Sequence, residues 1–173
     1  MKRSVSNWQI AGFVFTSVLG VVLHFLYDLS DENKVVAIFS AVNESTWEHM
    51  KLIFFPMVLF AVFERIFVRE DDFWCVKLIG ILFGTALIPV LFYTINGVFG
   101  KTPDFVNIAI FFLSAFAGFI LEARLLESGW VGCRGRVFSF MVLLLVAVMF
   151  GVFTFNPPML PIFLDPISGS YGI

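Results

Sequence analysis

Imidazole and carboxylate side chains set close together are the ligand types of a divalent metal site, and both histidines of this chain keep such company. His24 is followed four residues later by Asp28. His49 lies in Asn43-Glu-Ser-Thr-Trp-Glu-His-Met-Lys51, the densest polar cluster of a mostly apolar sequence. A zinc-type site would take His24 and His49 with one or two of Asp28, Glu44, Glu48 and Asp165. A metal-activated water would be the nucleophile and a spare carboxylate, Glu48 or Glu44, its general base. Asn43, Trp47, Lys51, Tyr93 and Asn96 would line the substrate pocket. No His-x-x-x-His pair, no Gly-x-Ser-x-Gly and no glycine-rich phosphate loop occurs, so the metal pattern has no standard motif and serine or P-loop chemistry has no support.

The same residues have a plain structural reading. Ser45-Thr-Trp-Glu48 has the form of a capping box, in which Ser45 caps a helix and Glu48 returns a bond to the Ser45 amide. Glu44 would then sit by the positive helix terminus, Trp47 would anchor at the interface, and Lys51 would snorkel outward. His24 and Asp28, one turn apart, would be a satisfied pair. This reading leaves His49 unexplained. Geometry also bears on the metal reading. His49 is five residues from Glu44, about 140° around a helix, so the two share a ligand only if Glu44 precedes the helix.

The elements that must position these groups are membrane spans. The chain is 60% hydrophobic and 14% charged, where a soluble domain carries about 25% charged residues, and its mean hydropathy is +0.95. A span needs about 20 apolar residues as helix. Five such stretches are expected, over 8–27, 45–68, 74–95, 104–121 and 137–155, forming one all-α bundle. Met-Lys-Arg followed by apolar sequence mimics a signal peptide, but the stretch is too long and is read as a retained span. The apolar piece 34–42 is too short to cross and is read as re-entrant, interfacial or an extension of the second helix. Gly12, Thr16 and Gly20, and again Ser114 and Gly118, are four apart, a spacing that lets helices approach closely. Pro56 and Pro89 fall inside spans. The Pro-rich tail 156–173 is apolar and is expected to pack on the bundle.

Eight of the 11 Lys and Arg residues fall at one set of span ends, and Lys34, Lys51 and Lys101 at the other. The positive-inside rule makes the first side cytoplasmic, with the N-terminus in, the C-terminus out and the histidine cluster outside. Cys75 and Cys133, far apart and without a Cys-x-x-Cys, then lie on the cytoplasmic side and are expected as reduced thiols. Glu64-Arg65, Arg69 to Asp72, and Glu122, Arg124 and Glu127 are expected to form a solvated inner rim. A net charge of -2 gives no sign of nucleic-acid binding.

Two stretches, Val42 to Lys51 and the ending Phe155 to Ile173, resemble a family of small bacterial membrane proteins of unknown function that also begin with a histidine-bearing span. The resemblance implies a whole-chain architecture in the bacterial cytoplasmic membrane and a tail that belongs to the folded unit; it implies no activity. Three functions are therefore compatible with the sequence. They are a metal-dependent hydrolase of a lipid or other amphiphile, a small-molecule or ion transport component such as a substrate-capture subunit with a deep, metal-free pocket, and a structural or partner-binding membrane protein.

Overall fold

In a computed structural model the chain is all-helical among the described residues, which are 2–128 and 135–173, with side chains described from residue 7. The helices are α1 (Lys2–Leu29), the single turn α2 (Lys34–Ala37), α3 (Thr46–Glu64), α4 (Phe73–Phe99), α5 (Asp104–Ser128) and α6 (Arg136–Phe155), followed by a short 3₁₀ turn, Pro161–Phe163. Five of them are long and apolar enough to cross a membrane.

α3 is the centre of the bundle. About 61% of its span window is buried, against 22–44% for the other four. It packs on α1, α4, α6 and the 3₁₀ turn. A helix apolar on all sides is one surrounded by protein, and Ile53, Phe54, Met57, Phe60 and Ala61 fill its contacts. Close backbone approach fixes the neighbours. A Cβ on Gly12 would meet the rings of Phe119 and Phe60 at 2.5 and 2.7 Å, and one on Gly20 would meet Phe111 at 2.5 Å. Gly84 and Gly118 bring α4 and α5 together, with Ser114 and Gly80 carbonyls 3.1 Å from where a Cβ would stand. The two small-residue stripes expected from sequence are thus the α1 and α5 faces. Gly80 and Gly84 are the answering face on α4, which the sequence reading missed.

Several boundaries move. α3 stops at Glu64 rather than residue 68, and α4 runs on to Phe99. α5 continues to Ser128, through what was expected to be a polar loop from Glu122. The reason is that Glu122 is fully buried and pairs with Lys77 of α4 at 2.5 Å. The solvated rim is corrected in the same way. Glu64 is also fully buried and pairs with Lys77 at 2.5 Å, whereas Arg69, Arg124 and Glu127 are exposed as expected. Cys75 is disulfide-bonded, not the reduced thiol expected; the expectations for Cys133 and Arg134 lie outside the described residues.

Residues 34–42 do not extend α3. After the single turn of α2, capped by Asn33 through the amides of Val35 and Val36, the chain folds inward, and Ala37 and Ser40 are fully buried. The Ser40 hydroxyl accepts from the Tyr27 amide at 3.0 Å and donates to the Leu23 carbonyl. It thus occupies both backbone groups that flank His24 on α1. The tail closes over the same end. Phe163 packs tilted against Trp47, and the Ile173 amide donates to the Thr154 carbonyl at 3.3 Å.

Candidate metal centre

Three side chains converge where α1 ends and α3 begins. The helix α3 starts at Thr46 with Ser45 as its N-cap, so Glu44 does precede the helix and is free to turn toward His49. The Nε2 of His49 is 3.5 Å from Glu44 Oε2, and the Nε2 of His24 is 3.7 Å from Glu44 Oε1. The two imidazole rings have centroids 5.3 Å apart. One candidate ligand atom from each residue lies within 4.8 Å of the other two. Zinc–nitrogen and zinc–oxygen bonds of about 2.0–2.2 Å at a tetrahedral angle put neighbouring ligand atoms about 3.3–3.5 Å apart. Each histidine–carboxylate separation is close to that edge length, but they run to different oxygens of Glu44, so the carboxylate turns on loading to bring the three ligand atoms, now within 4.8 Å, around one ion.

The ring of His49 is held in a useful tautomer. Its Nδ1 is 2.9 Å from the Ser45 carbonyl oxygen. A carbonyl only accepts, so Nδ1 carries the hydrogen, and in the neutral ring the lone pair is on Nε2, facing Glu44. A backbone carbonyl behind the distal nitrogen is a common support for a metal-ligating histidine. The Nδ1 of His24 is buried without a hydrogen-bond partner, so no contact forces the other tautomer on it. The side chains of His24, His49 and Glu44 are 27%, 24% and 43% exposed. The trio is therefore reachable, and three protein ligands leave room for a fourth, exchangeable one.

That reach leads into a cavity of about 630 Å³, walled by Glu44, His49, the C-terminal end of α4, the N-terminal end of α5 and the tail at Pro166 and Ile167. Ile88, Phe92, Ile110 and Phe111 make its apolar side, and Tyr93, Asn96, Lys101, Asp104 and Asn107 are among its polar side chains. Asn96 also shapes the α4–α5 turn, donating to the Phe92 carbonyl at 2.8 Å and accepting from the Thr102 amide at 3.0 Å.

The other expected site residues go elsewhere. Asp28 is exposed and stands outside the ligand trio. Glu48 does not reach the histidines: it is buried, pairs with Lys51 at 2.5 Å, and accepts from the Val42 amide at 3.1 Å and the Thr154 hydroxyl. The capping box is therefore only half made. Ser45 accepts from the Glu48 amide, but the Ser45 amide donates to Asn43 Oδ1 at 2.9 Å, not to Glu48. Lys51 does not snorkel outward; it is fully buried and also donates to the Ala37 carbonyl and Thr154. Trp47 is an inner wall residue against Phe150, Phe153 and Phe163, away from the cavity. Asn43 ties the site to the tail through the Gly172 carbonyl at 3.1 Å.

Asp165 organises the tail rather than ligating. It accepts from the Ile167 amide at 3.0 Å and the Ser168 amide at 3.2 Å. Burial pulls its carboxyl upward, but the Ser168 hydroxyl and the amides of Ile167, Ser168 and Glu44 outweigh that and hold it below the usual carboxylate range.

A polytopic helical membrane-type bundle with a two-histidine, one-carboxylate cluster beside a cavity is the class this structure defines. The chain belongs to a family of unknown function, DUF6512, whose model covers residues 1–173. No curated protein and no solved structure matches it.

Proposed function

We propose that this is a multi-pass protein of the bacterial cytoplasmic membrane that binds a divalent metal ion, zinc by ligand type, at His24, Glu44 and His49 on the outer face, and hydrolyses a lipid or other amphiphile held in the adjoining cavity. The observation that carries this reading is the pair of Nε2–carboxylate separations, 3.7 Å from His24 and 3.5 Å from His49, the latter ring with its tautomer set by Ser45. Two histidines and one glutamate with an open position is a donor set used by catalytic zinc. Zinc held this way supplies an activated water at neutral pH. The chain's own residues do the rest. Ser45 keeps the His49 ring aimed, the apolar wall at Ile88, Phe92, Ile110 and Phe111 accepts the apolar part of the substrate, and Tyr93, Asn96 and Lys101 meet its polar part. Water adds to the acyl or phosphoryl centre, the bond to the leaving group breaks, and the leaving group departs with a proton. The lysine and arginine bias supports the outer placement. Removing the buried Lys51 and Lys77 from the count does not change its sign.

The test is elemental analysis of detergent-purified wild type beside His24→Ala and His49→Ala, followed by a hydrolysis screen on ester and phosphoester amphiphiles. Near-stoichiometric zinc, lost in both folded variants, and turnover that follows the metal are expected. A folded wild type that takes up no metal when offered zinc would remove this reading and favour a metal-free capture role for the same cavity.

A further inference from the structure

A second polar cluster lies at the far end of α3. Glu64 of α3, Lys77 of α4 and Glu122 of α5 are each no more than 1% exposed. Lys77 Nζ is 2.5 Å from Glu64 Oε2 and 2.5 Å from Glu122 Oε2. From α1, Gln9 donates its Nε2 hydrogen to Glu64 Oε1 at 3.0 Å. Phe73 and Phe119 seal the lysine, their ring centroids 5.4 and 5.8 Å from Nζ. Arg65, the next residue to Glu64, lies over the Phe73 ring at 5.5 Å and spends its hydrogen bonds on the carbonyls of Val68 and Glu70.

The cluster does not balance. Among the described residues two carboxylates share one ammonium, which leaves one negative charge inside an apolar bundle, and an uncompensated buried charge is strongly destabilising. Its hydrogen bonding is unbalanced in the same sense. A carboxylate only accepts, so the contact with Glu64 fixes the Gln9 amide with Nε2 toward Glu64 and leaves Gln9 Oε1 over. Gln9 is 5% exposed, and its Oε1 and Glu122 Oε1 are buried with no partner, while Glu64 Oε2 accepts no hydrogen bond and meets only the Lys77 ion pair. The surplus is thus one negative charge and two acceptor oxygens. Buried acceptors are met by donors or cations in nearly every protein, and ionisable groups inside a membrane bundle mark ion or proton sites. Space for the cluster is built in, since Gly80 leaves the room that Glu122 fills.

We infer that Gln9, Glu64, Lys77 and Glu122 form a binding site for one monovalent cation, a proton or a sodium ion, held at the carboxylate that Lys77 cannot neutralise. The site is independent of the outer histidine cluster. It gives the protein a charge that can be loaded and unloaded from the opposite end of α3.

The test uses the full chain in detergent or nanodiscs at neutral pH, with sodium chloride against choline chloride. Infrared spectra read the un-ionised carboxyl band, and a pH indicator in weak buffer reads proton release. In choline, wild type should hold one un-ionised carboxyl that Glu122→Gln or Glu64→Gln removes. If sodium can replace it, sodium should release one proton per chain from wild type and none from either variant. If the band ignores sodium, the ligand is the proton. Lys77→Gln should raise the un-ionised carboxyl count by one. A folded wild type that shows neither this band nor bound sodium, or whose band survives in both glutamine variants, would overturn the proposal.

Discussion

The Nδ1 of His49 donates to the Ser45 carbonyl at 2.9 Å, and that bond leaves the opposite nitrogen of the ring facing Glu44. Ser45 is also the N-cap of α3. One residue therefore both starts the helix and sets the tautomer of the histidine on its first turn. The aim of His49 is consequently tied to the helix start rather than to a side chain that mutation could remove. A site whose ligands are already aimed needs little rearrangement to load.

Cobalt offers a direct view of the donor set. Co²⁺ added to the apoprotein should give the intense visible bands of a tetrahedral ion. Glu44→Gln, His24→Ala and His49→Ala should each weaken binding by more than about 100-fold, since even outer-shell losses cost 10–100-fold. Affinity should fall as pH is lowered, because protons compete for the imidazole nitrogens. Weak octahedral spectra, unchanged by these substitutions, would speak against the trio.

Glu48 and Lys51 should behave as structure and not as catalytic machinery. Lys51→Met leaves the Glu48 carboxylate buried and unpaired, and should cost about 3–5 kcal/mol in a denaturation measurement. Glu48→Gln with Lys51→Met should recover most of that. Metal loading should survive in the folded double variant; its loss there would return Glu48 to the site.

Asp165 should make the tail acid-sensitive. Its folded carboxyl titrates below the ordinary value of 3.8. The stabilisation it brings is therefore complete above that value and is lost as pH falls through the lower, folded one. Thermal melts of wild type and Asp165→Asn should differ by a constant amount from neutral pH down to about pH 5, and converge in stronger acid. A gap that widens on acidification would contradict the arrangement of donors around this carboxylate.

Gly80 should tolerate no side chain. Its added Cβ would collide with the Glu122 side chain, which is pinned by Lys77. Gly80→Ala should cost about 1–3 kcal/mol by overpacking, whereas Gly97→Ala, with nothing within 4 Å, should show no clash and a melting point close to wild type.

Much of this architecture was legible in the sequence, because a bilayer imposes length and apolarity on any helix that crosses it. Five apolar stretches became five helices, the two small-residue stripes became contact faces, and the convergence of His24, Glu44 and His49 followed from putting the ends of the first two spans on one side. The sequence also posed the one geometric condition on Glu44 and His49, and the helix start at Thr46 meets it. What it did not determine was which charged residues turn inward. Glu64, Lys77 and Glu122 stand at span ends, where a charged side chain reads as water-facing. Lys77 and Glu122 are 45 residues apart, and no periodicity couples them. The same holds for Lys51 and Thr154, 103 residues apart. A helix fixes the angle between its own side chains, but only the neighbour packed against it decides whether a given face meets water, lipid or a counter-charge. Tertiary packing therefore turned two expected rim carboxylates into a buried cation site and moved Glu48 from the expected metal chemistry into the core.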